Sequence, residues 1–467
     1  MGSLPTHQQS ESMGNISRVE RLSTEKIGKL LWEMSSQTTF SLLVYAIYSI
    51  TDTYFLSIGI NSLAAAGSSI VSPVLIALGG VATIVGVGGA SLVSRRLGEH
   101  DTEQASRTVA NTFLIFWVAA IAITIFGSLF IKPIVYLLGA TEAIAPYAVV
   151  YGRIIFLGAI TSTGFSTIIR ADGSIKYSTA IWIIPVVTNA ILSWLFVMVL
   201  KIGVAGAALA TVAGQAISAG MSVYFFFFKR NRSYQIKAAY FKPNKAIIGE
   251  VLLIGLPSFL KSLSASLIVV VTNNLLKLAG GDSALAIYAI VGKLYAALNM
   301  PQTGITQGMQ PLVGYNFGQK RLERVRQTIA LSLKTSVVYG TFVCGLSMLI
   351  PAALISLLSK EAAIIAEGQV ALRLLSLSFP VSGLALMVAT FFQSVGRAKE
   401  ALSITLGSII LVKLPVLLIA SRLFGLNGIW ASEAVSELFL SVMVLIMLRR
   451  FQGKALAMET LAYGNAP

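Results

Sequence analysis

Asp52 is the residue whose chemistry stands out first, because it is an ionisable side chain inside a long apolar stretch, 34–57. It is the only acidic residue that lies well within an apolar stretch of the first half of the chain. If the stretch crosses a membrane, an ionised carboxylate there is costly, so it should face the protein interior and pair, bind a proton or hold a cation. The neighbouring Thr51, Thr53 and Tyr54 are each able to form a hydrogen bond with it. The pattern predicts a cation-exchange site.

The apolar stretches of the second half carry a different set of charges. They contain Lys261, Lys293, Lys334, Arg373, Lys413, Glu433 and Glu437. Glu433 and Glu437 are four residues apart and so share one face of a helix. We expect Lys413 to pair with one of them, because charges within a membrane are usually neutralised by a partner. The other basic side chains could instead line a cavity that admits anionic or zwitterionic compounds.

Residues for enzyme chemistry are scarce. Cys344 is the only cysteine, and His7 and His100, both outside the apolar stretches, are the only histidines. A thiolate metal cluster or an intramolecular disulfide therefore cannot form. The sequence shows no nucleophile triad and no phosphate-binding loop, so we expect neither an enzyme nor a bound cofactor.

The composition is that of a membrane protein. The hydrophobic fraction is 55%, the charged fraction 12% and the mean hydropathy +0.80, whereas a soluble chain carries charge at about 25% of its positions. Apolar runs of roughly 20 residues, enough for a helix to cross about 30 Å of hydrocarbon, recur along the chain. We therefore predict an all-α polytopic fold with twelve spans. The predicted spans are 34–57, 64–94, 108–131, 143–169, 178–200, 203–228, 247–276, 284–315, 328–358, 363–393, 401–421 and 426–448.

The net charge of +16 is placed so as to orient the chain in the membrane. Connections after odd-numbered spans are short, whereas those after even-numbered spans are basic, as are both ends of the chain. This asymmetry predicts cytoplasmic termini and insertion in the plasma (inner) membrane. It also accounts for the positive net charge, so we do not expect nucleic acid as a partner. The basic connections contain Arg95, Arg96, Arg107, Arg170, Lys176, Lys229, Arg230, Arg232, Lys237, Lys242, Lys245, Lys320, Arg321, Arg324, Arg326, Arg397 and Lys399.

The two halves of the chain are similar at an offset near 222 residues. The segment from Gly88 to Gly98 matches Gly308 to Gly318, and equivalent glycines follow both. Because each half holds an even number of spans, the repeats are parallel, with a pseudo-two-fold axis along the membrane normal. The predicted organisation is a disordered cytoplasmic N-terminus (1–28), an N-terminal lobe (29–228), a basic linker (229–246), a C-terminal lobe (247–450) and a cytoplasmic tail (451–467).

At these residues the sequence resembles the multidrug and toxic compound extrusion (MATE) transporters. The resemblance runs from about Lys29 to Arg450. Its most specific stretches are Thr51-Asp52-Thr53 with the following Leu63-Ala64-Ala65, and the segment from Gly304 to Asn316. The second stretch is most similar to the staphylococcal multidrug-efflux and DNA-damage-inducible branches. The resemblance implies export of amphipathic, often cationic drugs by alternating access, in exchange for H⁺ or Na⁺.

The resemblance also implies a cation-binding cluster in the N-terminal lobe. The family places there an acid of the first span, two polar residues one turn apart on the fifth span and a threonine on the sixth. Asp52, Asn189 and Thr211 match this pattern, and these three would be the ligands if the ion were Na⁺. Ser193 stands where the family has a second aspartate. It shares a helix face with Asn189 but offers a hydroxyl instead of a charge.

The loss of one carboxylate bears on the coupling ion. A hard cation binds more tightly where oxygen ligands carry more negative charge, so Na⁺ would be held less well here. Burial of a lone carboxylate favours its protonated form. We therefore expect H⁺ coupling through Asp52, with Na⁺ as the alternative. At the equivalent position the second half carries Asn274.

A polyspecific drug cavity is usually lined by aromatic, methionine and amide side chains, which tolerate varied ligand shapes. Candidates here are Tyr54, Asn273, Asn274, Tyr295, Met300, Gln307 and Phe392. Packing against lipid or protein is the simpler role for each one. We expect small amphipathic compounds and the lipid bilayer as partners, and a monomer.

Two other functions fit parts of the pattern. A flippase for lipid-linked precursors would share the two-lobe plan and would use basic residues in its cavity. The other alternative is not a transporter but an ion channel or a structural membrane protein. A channel, however, more often surrounds its pore with identical subunits. Conductance recordings would identify a channel.

Overall fold

The structure is a computed structural model. It describes residues 20–463 apart from 139, 162–164, 230–231 and 360. Within helices, the side chains of 45–53, 62, 72–78, 282, 452 and 454–463 lie outside the described residues. The part of the chain that is described is almost entirely helical and contains no strand. This confirms the predicted all-α fold.

Each of the twelve predicted spans corresponds to helix in the structure. Spans 1 to 6 are Ile27–Gly59, Ser62–Gly98, Thr102–Leu129, Ala145–Leu157 with Ala159–Ala171, Ile175–Val199 and Val204–Phe228. Spans 7 to 10 are Lys245–Gly281, Ser283–Gly318, Leu322–Leu349 and Ala362–Ser376 with Phe379–Ser394. Spans 11 and 12 form the continuous segment Ala398–Phe451, which turns at Gly425 (φ 55°, ψ −131°). Spans 4 and 10 are bent by 51° and 46°.

The length and composition of these helices suit a membrane. Within the described residues, seven helices are long and apolar enough to cross one, or nine if each bent pair is one span. The segment Ala398–Phe451 is 54 residues long and is kinked at Gly425, so it is long enough for two spans of about 20 residues each. The chain is therefore a multi-span membrane protein.

The predicted end of the ninth span is wrong. The pattern predicts a ninth span over 328–358, but the helix ends at Leu349 and a short helix, Pro351–Ser356, follows. Proline has no N–H to continue the helical hydrogen-bond ladder, and it is favoured in the first turn of a new helix. Ile350, at φ −127° and ψ 46°, makes the turn between them.

The internal repeat is visible in the backbone. A positive φ occurs at three pairs of matching positions in the two halves. These are His100 and Lys320 (62° and 59°), Gly173 and Gly396 (78° and 80°), and Gly203 and Gly425 (77° and 55°). Positive φ is uncommon outside glycine, so the coincidence indicates that both halves make the same turns between the same spans.

Contacts divide the chain into two compact units. The first unit contains Met1–Glu25, Phe40–Phe259 and Gly314–Lys320, and the second contains Lys26–Thr39, Leu260–Val313 and Arg321–Pro467. The basic linker at 229–246 thus belongs to the first unit. The opening half of span 1 belongs to the second unit, and the opening half of span 7 to the first.

Glycines at equivalent positions of the repeat contact the first halves of spans 1 and 7. In the first unit, a Cβ at Gly88 of span 2 would lie 2.0 Å from the carbonyl oxygen of Val251 in span 7. In the second unit, a Cβ at Gly308 of span 8 would lie 2.7 Å from Ser35 Oγ in span 1. Small residues at such crossings let helix backbones approach closely within a membrane.

The N-terminal segment is ordered earlier than its composition suggests. Residues 20–24 are helical, and Leu22 is 2% exposed. Asn316 donates a hydrogen bond of 2.9 Å to the Leu22 carbonyl oxygen. This anchoring explains why residues 20–28, which the sequence assigns to a disordered terminus, are structured. Residues 1–19 lie outside the described part.

Candidate functional site: a buried polar group on spans 5 and 6

Three of the four residues expected at the cation site come together in the first unit. Asn189 donates from Nδ2 to Thr211 Oγ1 over 3.4 Å, and Ser193 donates from Oγ to Asn189 Oδ1 over 3.5 Å. Asn189, Ser193 and Thr211 are 3%, 0% and 4% exposed. Both bonds are long, so the Asn189 amide is held only weakly by them, and its oxygen could turn towards a proton donor or a cation.

A glycine makes this approach possible. A Cβ at Gly214 of span 6 would lie 3.0 Å from the Pro185 carbonyl oxygen and 3.2 Å from Asn189 Cβ, both on span 5. Its missing side chain lets the two helices pack closely at the depth of the polar group. Span 5 also changes from α-helix to π-helix directly after Ser193, over Trp194–Val199. Such π-segments are common at functional sites because they re-aim neighbouring side chains.

Asp52 lies in the helix Ile27–Gly59, but its side chain is outside the described residues. The backbone around it is informative. Leu56, four residues later, is fully buried in one apolar cluster with Val197 of span 5 and with Ala207 and Ala208 of span 6. Span 1 therefore packs against spans 5 and 6 one turn from position 52.

The candidate cavity residues are spread over both units. Tyr54 of the first unit is 57% exposed. In the second unit, Asn273 and Asn274 are exposed, and Asn274 Nδ2 donates to the Val270 carbonyl oxygen over 2.8 Å. An amide satisfied by its own helix is not poised for ion chemistry, in contrast to the loosely held group on spans 5 and 6.

The remaining candidates are more enclosed. Tyr295 is half-buried, hydrogen-bonds Ser378 Oγ at 2.9 Å and stacks on Phe379 with ring centroids 4.9 Å apart. Met300 and Gln307 are half-buried. Phe392 is 1% exposed and packs edge-on against Phe391 and Phe451. Substrate contact by these residues stays a prediction.

The charged pair expected in the second half is present. Lys413 Nζ lies 2.7 Å from Glu433 Oε1 and 2.8 Å from Glu437 Oε1. The prediction that Lys413 would pair with one of these glutamates is confirmed, and it pairs with both. This places one ammonium and two carboxylates together within the second unit.

Sequence reasoning missed a buried acid where the basic linker contacts the turn between spans 4 and 5. Asp172 is 2% exposed and accepts hydrogen bonds from the Ser233 backbone N–H (3.1 Å) and from Ser174 Oγ (3.1 Å). Burial raises the pKa of Asp172 to about 6, although these hydrogen bonds and the charge of Lys229 oppose the rise. The adjacent Tyr234 is 2% exposed, and burial raises its phenol pKa well above the usual value. Only the apolar surroundings supplied by the fold distinguish Asp172 from an ordinary loop acid.

The described residues contain no group of three or more His, Cys, Asp and Glu side chains able to hold a metal ion. The described group on spans 5 and 6 offers only neutral amide and hydroxyl oxygen atoms. Such a ligand set is suited to a monovalent ion or a proton, because tighter binding of multivalent cations needs more negative charge.

Comparisons with known proteins agree with this architecture. The MatE family model matches residues 38–195 and 257–419. The multidrug export protein MepA of Staphylococcus saprophyticus is 28% identical over 419 residues, which cover 87% of this chain and 91% of that protein. The MepA protein of Staphylococcus haemolyticus is 26% identical over 91% of this chain and 94% of its own length.

A solved MATE structure in a bent conformation is similar with a TM-score of 0.89 at 21% identity, covering 95% of this chain and 98% of the other. At that identity the likeness concerns the fold alone. The twelve-helix, two-lobe fold expected from the sequence is confirmed. Since the family model matches more than half of the residues in two segments, one in each repeat, the chain belongs to the MatE family of transporters.

Proposed function

We propose that this protein is a secondary active multidrug exporter of the plasma membrane, and that it exchanges amphipathic, mainly cationic compounds for protons. Family membership and staphylococcal relatives named as multidrug export proteins support export of varied compounds. The observation that carries the coupling proposal is the buried polar group of Asn189, Ser193 and Thr211.

Helical geometry connects this group with Asp52. Position 52 is four residues before Leu56, and Ser193 is four residues before Val197. Thr211 is four residues after Ala207, in a span that runs antiparallel to the other two. All three positions therefore lie one helical turn from a member of the same buried apolar cluster, displaced in the same direction. This placement supports Asp52 as the acid that completes the site.

The mechanism follows from the cost of charge inside a membrane. With Asp52 ionised, the proposed site carries a negative charge to which Asn189, Ser193 and Thr211 add only neutral groups, which favours binding of a proton or a cation. Proton binding removes the charge and changes which arrangement of the helices is stable. Cargo and proton then exchange if each favours a different arrangement, because a ligand shifts an equilibrium only by its differential affinity.

Purified protein in liposomes tests the proposal. Ethidium, an amphipathic permanent cation, is supplied with the membrane potential clamped, under either a pH gradient or a Na⁺ gradient. We expect ethidium movement to follow the pH gradient without Na⁺. Strict Na⁺ dependence at fixed pH would replace the proton by Na⁺ in the mechanism. Failure of folded protein to move ethidium or other amphipathic cations under either gradient would refute the exporter.

A lipid-precursor flippase is the second candidate, favoured by the basic side chains in the spans of the second unit, such as the exposed Lys261 and Lys293. The two functions separate in cells. An exporter confers drug resistance on a host that lacks its own pumps, whereas a flippase rescues a strain deficient in cell-wall precursor flipping. Rescue without resistance would decide for the flippase.

A further inference from the structure

The ion cluster of the second unit is arranged as a site rather than as a simple pair. Lys413 ends a π-helical segment, Ser408–Lys413, which re-aims its side chain towards span 12. There its ammonium meets Glu433 and Glu437, which lie one helical turn apart at 2.7 and 2.8 Å. One positive charge thus faces two carboxylates inside the spans, which leaves one negative charge unbalanced when both are ionised.

The second carboxylate is incompletely satisfied. Glu437 is 6% exposed, and its Oε1 atom is the one that meets Lys413. Its Oε2 atom is buried and has no hydrogen-bond partner among the described residues. An uncompensated carboxylate oxygen inside a membrane is costly. The side chain of Glu433 is more open, with 24% exposure against 7% for Glu437.

Other polar groups of the second unit surround Glu437. Lys261 of span 7 interacts electrostatically with Lys413 and Glu437 and is itself exposed. Tyr295 of span 8 interacts electrostatically with both glutamates. Within the part of the chain that the structure describes, no ion pair joins Lys261 to either glutamate. Glu437 therefore keeps an open acceptor beside an accessible, cationic neighbour.

We propose that Glu437 is a second proton-binding site of the transporter. With a proton on Glu437 Oε2, Lys413 and Glu433 are the only charged members of the cluster. The net charge of Lys413, Glu433 and Glu437 together is then zero. Loss of the proton gives them one net negative charge, which Lys261 partly offsets. The inference rests on the proposed function, because it gives a proton-coupled exporter one protonatable carboxylate in each half, Asp52 and Glu437.

Two sites change the charge balance of transport. Exchange of one proton for one monovalent cation moves no net charge, whereas exchange of two protons moves one positive charge per cycle. Wild-type protein should therefore move ethidium in response to membrane voltage at equal pH on both sides. Glu437→Gln should remove most of this voltage response while leaving movement driven by a pH gradient.

The same contacts could serve only to tie spans 11 and 12 together, and a spectroscopic test separates the two roles. Infrared difference spectra between acidic and alkaline pH detect the C=O stretch of protonated carboxyl groups. In purified protein we expect Glu437→Gln to remove one such band and Glu437→Asp to shift it. Glu367→Gln, at an exposed glutamate of the same unit that lies outside the cluster, is the matched control, and its spectrum should keep the Glu437 band.

A Glu437→Gln spectrum identical to that of the wild type, from folded protein, would overturn the inference. Asp52→Asn, recorded in parallel, keeps the two proposals apart. If Asp52→Asn changes nothing but Glu437→Gln removes a band, coupling by Asp52 fails and the second site stands. If only Asp52→Asn removes a band, the second site is refuted and the proposed function is untouched. Should Glu437→Gln not fold, the Glu437→Asp shift decides alone.

Discussion

The polar groups of the two halves differ although their scaffolds are alike. Spans 5 and 6 hold a neutral group of one amide and two hydroxyls, joined by long hydrogen bonds. Spans 11 and 12 hold a tight cluster of an ammonium and two carboxylates. At the position equivalent to Asp52, Asn274 is exposed and bonds its own helix.

The comparison shows that the backbone features recur in both halves of the repeat, whereas the charged side chains do not. Positive-φ turns and close helix crossings recur in both halves, because the backbone path requires them. The charged residues do not recur, because a charge within the membrane is retained only where it is paired or used. The two halves thus carry different polar chemistry on one architecture.

The largest effect on stability should come from Lys413→Met, which leaves Glu433 and Glu437 without their ammonium. Removing one partner of a buried ion pair typically costs about 3–5 kcal/mol. The loss should grow as pH rises, because protonation relieves the uncompensated charge. Thermal unfolding in detergent at several pH values measures it. Adding Glu433→Gln and Glu437→Gln should restore much of the stability, whereas a Lys413→Met protein as stable as the wild type would show that the cluster is not energetically coupled.

Glycine substitutions test the shared scaffold. Gly88→Ala should destabilise by about 1–3 kcal/mol, as expected when a methyl group is forced into a packed crossing, because its Cβ would lie 2.0 Å from a backbone oxygen. Gly308→Ala should cost less, since a serine side chain is its nearest neighbour, at 2.7 Å. Gly249 has nothing within 4 Å of a Cβ, so Gly249→Ala is the control. Equal stability of Gly88→Ala and Gly249→Ala would contradict the close crossing.

Ser193→Asp would sharpen the contrast in ion chemistry. A second carboxylate one turn from Asn189 adds negative charge and an oxygen ligand, which favours a hard cation. We expect ethidium transport to gain a response to Na⁺ gradients, with an apparent Na⁺ affinity increased about tenfold, a change of about 1.4 kcal/mol. Ser193→Asn, of similar size and neutral, should show no such gain. Equal Na⁺ responses of the two variants would place residue 193 outside the ion site.

The smallest effect concerns Asp172, where the basic linker contacts the turn between spans 4 and 5. Burial raises its pKa from 3.8 to about 6, so the folded protein binds this proton more tightly than the unfolded chain does. The associated stability is fully present below pH 3.8 and is lost as pH rises through about 6. The melting temperature of Asp172→Asn should change with pH by a few degrees less than that of the wild type between pH 4 and 7. If the two proteins show the same pH dependence, the folded protein does not bind this proton more tightly than the unfolded chain.

Much of the fold could be read from the sequence because lipid imposes a strong pattern. Twenty-residue apolar runs, basic connections and repeated glycines predicted the order of the spans, and the helix break at Pro351 was missed only because hydropathy continues across it. The packing of Lys26–Thr39 and Leu260–Val313 within one unit could not be predicted, since it depends on contacts distant in sequence.

Part of the site could be predicted from the resemblance and from helix periodicity, whereas the part that depends on tertiary packing could not. The resemblance identified Asn189, Ser193 and Thr211, which the structure brings together, and helix periodicity identified the partners of Lys413. The buried state of Asp172 and the open oxygen of Glu437 gave no sequence signal. Both follow from what packs around a side chain rather than from its neighbours in the chain.

Ethidium exchange by Asp52→Asn in liposomes under a pH gradient tests the central claim most directly, with Asp172→Asn, the same carboxylate-to-amide change at a buried acid outside the spans, as the matched control. We expect Asp52→Asn to fold, to bind ethidium and to lose the exchange attributed to proton coupling, whereas Asp172→Asn should retain it. Exchange at the wild-type rate by Asp52→Asn would contradict that claim.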